Sequence, residues 1–296
     1  MKIVTLTLSP AVDIEYRAKD SAASGLNRTY AHSLSAGGKG INVSRAILKY
    51  AAADPAREKF PFELRTVTPV GGETGELLRQ LLEKEGISLT AVGIEENTRV
   101  NVSLIPDSGA SLEINAPGTP VGCALGEIEK AVLDGIGAGD WVVIAGSCPK
   151  DVPKSYPSDL IEKIKEKGAS AVLDCDGLAL KIAVNAPVKP DLIKPNNEEL
   201  AELTGCDPFD PGELAAAAES LGIPTVITTR AGEDPLLTDE RGTVFISAVK
   251  RKVVRLKGAG DTFLGAFLYV LCVRDEPPEC AMEAAVETAG RYVAGE

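Results

Sequence analysis

Histidine is nearly missing from this chain: of its 296 residues, His32 alone carries an imidazole. The six cysteines (123, 148, 175, 206, 272 and 280) form no CxxC pair and no metal-ligand spacing. They read as the core thiols of a reduced protein, and a cytoplasmic location is expected. Basic residues are short as well, 31 against 43 acidic ones for a net charge of −12. That balance argues against a nucleic-acid partner, which needs a basic face. An anionic small molecule still fits, since a few local cations override the global field. No run reaches the roughly 18 apolar residues of a membrane span, so no membrane partner is expected. The opening residues, Met1 to Leu8, are too few and too β-branched for a signal peptide. No Gly-x-x-x-x-Gly-Lys-Ser/Thr loop occurs, which excludes a Walker A phosphate site. Internal repeats and low-complexity tracts are absent too.

What is present is alternation. The length suits one large domain, or one and a half, with ample apolar content for a core. Apolar runs at 2–8, 63–67, 141–145, 171–174, 191–194 and 225–229 predict strands. Longer periodic stretches at 41–52, 74–85, 157–167, 197–204, 212–221 and 279–293 predict helices. Strands that are nearly continuously apolar and alternate with helices imply an α/β fold, with a mainly parallel sheet covered on both faces. Ligands on such sheets lie at the carboxyl ends of the strands. Two regions break the pattern, 11–35 and 88–116. The second contains strand-like pieces at 88–92, 99–105 and 111–115, with a Pro106–Gly109 turn between the last two. Both regions are expected to build a small β-sheet lid, with the core made by 1–10, 36–87 and 117–296; edge hairpins of the main sheet are the alternative.

The stretch Gly258-Ala259-Gly260-Asp261-Thr262 carries the strongest chemical signal. A β-rich run, 253–257, precedes it. A run apolar nearly all round, 262–273, comes after it and reads as a buried helix. A glycine turn opening a buried helix presents unpaired N–H groups backed by the positive end of the helix dipole. That is an anion hole with a carboxylate at its edge, an arrangement suited to taking a proton from a hydroxyl during phosphoryl transfer. The same four letters recur at Gly137-Ala138-Gly139-Asp140. There the next element is a strand, so a plain helix-to-strand turn is expected.

Other candidates are weaker singly. The loop Ala36-Gly37-Gly38-Lys39-Gly40-Ile41-Asn42 precedes a helix, lets a ligand approach the backbone, and offers Lys39 to a phosphate or hydroxyl. Asp13 lies just past the first strand, as a ligand contact or a turn cap. Arg99 is either a phosphate ligand or a solvated edge-strand arginine. In Lys194-Pro195-Asn196-Asn197-Glu198-Glu199, Asn196 and Glu199 have the spacing of a capping box.

Taken together and in order, these segments resemble the PfkB (ribokinase-like) family of carbohydrate kinases, from Thr5 to Gly265. The matches also include Thr98-Arg99-Val100-Asn101, Glu113-Ile114-Asn115-Ala116-Pro117-Gly118 and Ala145-Gly146-Ser147. Within the family they look most like the branch acting on sugar phosphates, which holds 1-phosphofructokinase and tagatose-6-phosphate kinase. The resemblance implies a ribokinase-like three-layer sandwich with a β-sheet lid that forms a homodimer contact. It also implies ATP with Mg2+, acting on a small sugar phosphate, with fructose 1-phosphate to fructose 1,6-bisphosphate as the expected reaction. Kinases of unphosphorylated sugars or nucleosides, and a catalytically weak sugar-phosphate binder, are the alternatives.

By the same resemblance Asp261 is the base, and the N–H groups of Gly258, Ala259, Gly260 and Asp261 hold the phosphoryl group in transfer. Lys39 and Arg99 bind the sugar's phosphate, while Asp13, Gly37, Gly38 and Asn42 contact the sugar. Lys194, Thr229, Arg230, Ala231 and Gly232 face the nucleotide, with Asn196 and Glu199 near a hydrated magnesium ion. The helix N-terminus is expected to lower the pKa of Asp261, a weakness that a loose transfer tolerates. Three departures from the family pattern stand out. Ala231 and Asp234 replace two glycines, with Asp234 adding charge near the phosphates; Lys257 replaces an apolar residue; and the chain stops at Glu296, early for the family.

Overall fold

The computed structural model describes residues 1–20, 26–107, 111–248 and 250–296. In chain order the first half contains β1 (Lys2–Leu6), β2 (Ala11–Ala18), β3 (Thr29–Gly37), α1 (Lys39–Ala53), β4 (Glu63–Gly71), α2 (Gly72–Lys84), β5 (Leu89–Ile94), β6 (Val100–Pro106), β7 (Leu112–Ile114) and α3 (Leu125–Leu133). The second half contains β8 (Trp141–Ala145), α4 (Tyr156–Glu166), β9 (Ser170–Asp174), α5 (Gly177–Asn185), β10 (Leu192–Ile193), α6 (Asn197–Thr204), α7 (Pro211–Ser220), β11 (Thr225–Thr228), β12 (Leu236–Asp239), β13 (Gly242–Phe245), α8 (Ala259–Leu268) and α9 (Pro278–Ala294).

Among the described residues nine strands form one sheet in the order β13-β12-β11-β10-β9-β8-β1-β4-β5. Every pairing from β11 to β5 is parallel, and the β12–β13 hairpin closes the far edge antiparallel. The strands are apolar throughout because both faces are covered. Val142 and Ile144 pack with Leu160, Ile161 and Leu200 on one side. Val143 and Ala145 pack with Ile47, Leu264 and Phe267 on the other. The result is the three-layer sandwich. The winding reverses at β1, which lies between β8 and β4. Crevices beside such a reversal are where ligands bind.

The second sheet has the order β3-β2-β6-β7, with β2 and β6 parallel. Its inner side, through Val12 and Ala36, packs on Leu78 and Leu82 of α2. The strand expected at 88–92 is not part of it. Leu89–Ile94 pairs with β4 at the edge of the large sheet, because its preceding helix α2 returns it there as a parallel crossover. Of the expected Pro106–Gly109 turn, Ser108 and Gly109 lie outside the described residues. The run 253–257 is also not a strand. Its backbone instead takes up the end of α9, with Val254 N and Arg255 N donating to Val293 O at 2.8 and 3.2 Å. A helix end leaves carbonyls in need of donors, and this segment supplies them.

α8 is buried along its length, from Phe263 at 5% exposure to Leu268 at 0%. It crosses α1 so closely that a Cβ on Gly265 would fall 2.5 Å from Ala46 Cβ and 2.9 Å from Val43 O. Only a residue without a side chain permits that approach. Gly265→Val is expected to cost about 1–3 kcal/mol through overpacking. It should lower kcat as well, because the crossing sets the spacing of the two helix N-termini. Thermal unfolding and initial rates test this, and an unchanged Tm would remove the crossing's importance.

Candidate active site

The glycine turn at 258–262 begins α8 in the way its sequence context implied. Gly258 sits at φ +85°, a left-handed conformation that favours glycine, and α8 has no side-chain cap. Ala259 N donates to Leu256 O at 3.0 Å. Among the described residues the N–H groups of Gly258, Gly260 and Asp261 have no acceptor, which leaves them open to an anion. The twin at 137–140 behaves as a plain turn. Asp140 accepts from Gly137 N at 3.0 Å and from Lys2 N at 2.7 Å, joining α3 to β8.

Asp261 is buried, at 7% exposure, and its Oδ2 accepts from Asn42 Nδ2 at 2.7 Å. Arg45 Nη1 donates to Asn42 Oδ1 at 2.5 Å, which turns the amide so that its NH2 faces the carboxylate. The dipole-based expectation of a lowered Asp261 pKa is corrected here. Burial and then the neighbouring Asp174 carboxylate raise it above the usual carboxylate range, while Asn42, Lys39 and Lys194 hold it back. Desolvation outweighs the dipole because the side chain is sealed between α1 and α8. Asp261 is thus a better proton acceptor than its sequence position suggested.

Asp174 did not stand out in the sequence, yet it sits at the centre of the cluster. It ends β9, is 2% exposed, and lies 3.5 Å from Lys39 Nζ and 3.4 Å from Lys194 Nζ through Oδ1. Its Oδ2 is buried without a hydrogen-bond partner. The signal that could have found it is an acid closing an apolar parallel strand, where ligands collect. Burial disfavours the Lys39 ammonium, but Asp174, with Asp261 and Glu199 behind it, outweighs that and raises its pKa.

On the small-sheet side, Asp13 Oδ1 accepts from Asn101 Nδ2 at 2.8 Å and Oδ2 from Lys257 Nζ at 3.1 Å. The backbone of Gly37 lies against this carboxylate, so that a Cβ there would fall 2.6 Å from Oδ2. Gly38, at φ +137°, caps α1 and leads into Lys39. Arg99 is not a solvated edge residue. Its Nε, Nη1 and Nη2 donate to Pro10 O, Ala116 O and Ser9 O at 3.3, 3.0 and 3.0 Å. It therefore ties together three crossings between the core and the small sheet, and two of its five N–H bonds remain. Burial lowers its pKa, and Asp13 partly restores it.

On the opposite side Lys194 comes after β10 and is buried at 7% exposure. Asn196 and Glu199 form a full capping box on α6, with Glu199 N donating to Asn196 Oδ1 and Asn196 N to Glu199 Oε2, both at 2.8 Å. Thr229 pairs with Asn196 across a parallel bridge. The loop beyond it turns at Gly232, φ +82°, and Arg230 Nη1 donates to Asp234 O at 3.3 Å. Ala231 is exposed at the tip of that turn. Asp234 is held by the chain beyond it, since Oδ1 accepts from Ala248 N at 2.7 Å. The departure from glycine at this position pins the 246–248 segment. All six cysteines are free; Cys175 is buried, but Cys123 and Cys280 are exposed, so the thiols are only partly in the core.

A parallel three-layer sandwich with a second small sheet, and a buried carboxylate at an uncapped glycine turn, make an arrangement suited to phosphoryl transfer. A model of the pfkB family of carbohydrate kinases matches residues 7–294. The chain belongs to that family. It is 34% identical over 272 residues to a 1-phosphofructokinase of Bacillus subtilis, covering 90% of this chain and 84% of the relative. It is 29% identical over 269 residues to a D-tagatose-1-phosphate kinase of Klebsiella oxytoca, at the same coverages of 90% and 84%. The crystal structure of phosphofructokinase-2 from Escherichia coli in complex with fructose-6-phosphate superimposes with a TM-score of 0.87. The two are 27% identical, with 99% of this chain and 93% of that one covered.

Removing the Asn42 donor leaves burial and Asp174 unopposed at Asp261. Asn42→Ala is therefore expected to raise the Asp261 pKa further. With Asp261 as the expected base the carboxylate would be the active form, so the acid limb of kcat should move to higher pH than in the wild type. Paired pH–rate profiles decide this, and superimposable acid limbs would show that Asn42 does not tune the base.

Proposed function

We propose that this kinase transfers the γ-phosphoryl group of ATP to a hydroxyl of a phosphorylated ketohexose, converting fructose 1-phosphate to fructose 1,6-bisphosphate. The observation that carries the reading is the buried Asp261 beside the unpartnered Gly260 and Asp261 N–H groups, fixed by Asn42. The acceptor hydroxyl gives its proton to the Asp261 carboxylate as its oxygen bonds to phosphorus. The bond from that phosphorus to the bridging oxygen breaks, and ADP leaves. The two N–H groups and the α8 dipole stabilise charge on the phosphoryl oxygens. Lys39 and Lys194, drawn together by Asp174, supply cations on the transfer side, where they are released to phosphate as it arrives.

Asp13, Gly37, Gly38 and Asn42 line the acceptor place, and Lys194, Thr229, Arg230, Ala231 and Gly232 the nucleotide place. Magnesium fits the donor set. Glu199 commits Oε2 to its helix cap and keeps Oε1 for a water of a hydrated cation, beside Asn196, and Asp174 keeps a partnerless buried oxygen. The ion would neutralise phosphate charge. The similarity to a D-tagatose-1-phosphate kinase favours tagatose 1-phosphate as the second reading.

An ADP-release screen over fructose 1-phosphate, fructose 6-phosphate, tagatose 1-phosphate, tagatose 6-phosphate, fructose and ribose tests the assignment, with fructose 1-phosphate expected to give the highest kcat/KM. Asp261→Asn should lose roughly 10²–10⁴ in kcat, the span of a positioned general base. Near wild-type turnover in that variant would remove the role.

The small sheet is also proposed as a lid and homodimer contact. Beyond the part packed on α2, the face that carries Val12 and Ala36 continues to Leu34, Leu112 and Ile114, exposed at 41, 49 and 58%, and Tyr30 of β3 is exposed at 57%. Clustered exposed apolar side chains of this kind mark interaction surfaces. Light scattering should give a dimer for the wild type and a monomer for Leu34→Lys/Ile114→Lys; a wild-type monomer at micromolar concentration would end the proposal.

A further inference from the structure

The cations that could hold the acceptor's own phosphate are not equally available. Arg99 gives three of its five N–H bonds to the carbonyls of Ser9, Pro10 and Ala116 and keeps two. Lys39 and Lys194 both lean on Asp174, on the transfer side of the cleft. Lys257 is different. Its side chain is 52% exposed, and its ionic partner is Asp13, 3.1 Å away and itself 21% exposed. Exposed pairs of this kind are weak and readily exchanged. The ammonium reaches across the cleft, from the residue before the Gly258 turn to the base of the small sheet. Its main chain is nonetheless fixed: Tyr292 Oη donates to Lys257 O at 2.8 Å, and Arg255 lies 3.9 Å over the Tyr292 ring while bonding Tyr292 O at 2.9 Å. A clamped backbone with an exchangeable head group is suited to gripping a mobile anion at low entropic cost.

We infer that Lys257 is an acceptor-phosphate ligand of this enzyme, beside the two N–H bonds that Arg99 keeps. Its ammonium rests on Asp13. When a phosphorylated sugar enters, a sugar hydroxyl takes Asp13 Oδ2, and Lys257 passes to the sugar's phosphate. Asp13 keeps its orientation through the exchange, because Asn101 holds Oδ1. Charge favours the swap. A phosphate monoester brings about two negative charges and three strong acceptor oxygens, against the single charge of one carboxylate. The inference rests on the sugar-phosphate kinase reading and assigns part of its acceptor specificity to this residue.

The experiment compares wild type with Lys257→Met, Lys257→Gln and Lys257→Arg, using fructose 1-phosphate and fructose as acceptors and calorimetric titration of fructose 1-phosphate without nucleotide. Loss of one charge-assisted contact should raise KM and Kd for fructose 1-phosphate on the order of tenfold to a hundredfold in the Met and Gln variants. The KM for ATP and for any fructose turnover should stay within about twofold, and Lys257→Arg should recover most of the affinity. An unchanged or lowered KM for fructose 1-phosphate would overturn the inference, leaving Lys257 as a competitor for Asp13. An equal loss with fructose would overturn it too, since no phosphate is then being read. The underlying reading fails separately, if the wild type turns over no phosphorylated sugar. In that case the titration still decides whether Lys257 binds one.

Discussion

The hydrogen bond from Asn42 to Asp261 joins two helix N-termini that lie 219 residues apart in the chain. Each helix begins on a glycine and projects its first turn to the same edge of the sheet. α1 supplies an amide and a lysine; α8 supplies a carboxylate and unpaired N–H groups. Neither turn is a complete site alone. The contact exists because α8 is apolar enough to be buried on every side and lacks a side chain at Gly265, where it meets α1. Packing therefore sets the chemistry: the seal that desolvates Asp261 is the same one that raises its pKa, and Asn42 is the polar group admitted to moderate it.

Charge in the cleft is arranged around acids that await anionic ligands. Asp174 gathers Lys39 and Lys194, and Asp13 gathers Asn101 and Lys257. An overall charge of −12 would repel sugar phosphate and nucleotide alike, so these local cations must act at short range. Holding them on carboxylates keeps them satisfied without committing them. Arg99 is the contrasting case. It looks like a phosphate ligand, but most of its donors go to main-chain carbonyls at the joints between core and small sheet, where they position the strands that carry Asp13 and Asn101.

Legibility differed from element to element for physical reasons. Parallel strands covered on both faces write themselves as apolar runs, so β1, β8, β9 and β11 could be read directly. The two Gly-Ala-Gly-Asp copies could be told apart by the element after each, because an anion-binding turn needs a helix behind it. The strand near 88–92 was visible, but its sheet was not, since pairing partners are chosen by the crossover helix and not by local pattern. The run 253–257 has strand composition, yet its N–H groups go to the end of α9, a partner that local pattern does not show. Asp234 has the charge to repel phosphate, and its bond from Ala248 N, fourteen residues on, could not be read locally. Asp174 is inconspicuous in sequence because an aspartate ending a strand is common, and its meaning lies in the two lysines that converge on it.

By itself the sequence determined the α/β class, the helix-opening glycine turns and the family, because periodicity, turn chemistry and ordered motifs are local properties. Only the tertiary structure decided the direction of the Asp261 pKa, the engagement of Arg99, the place of Asp174 and the reach of Lys257 to Asp13. Each of those depends on burial or on a partner far away in the chain. Desolvation and through-space charge have no local signature, so folding alone could reveal them.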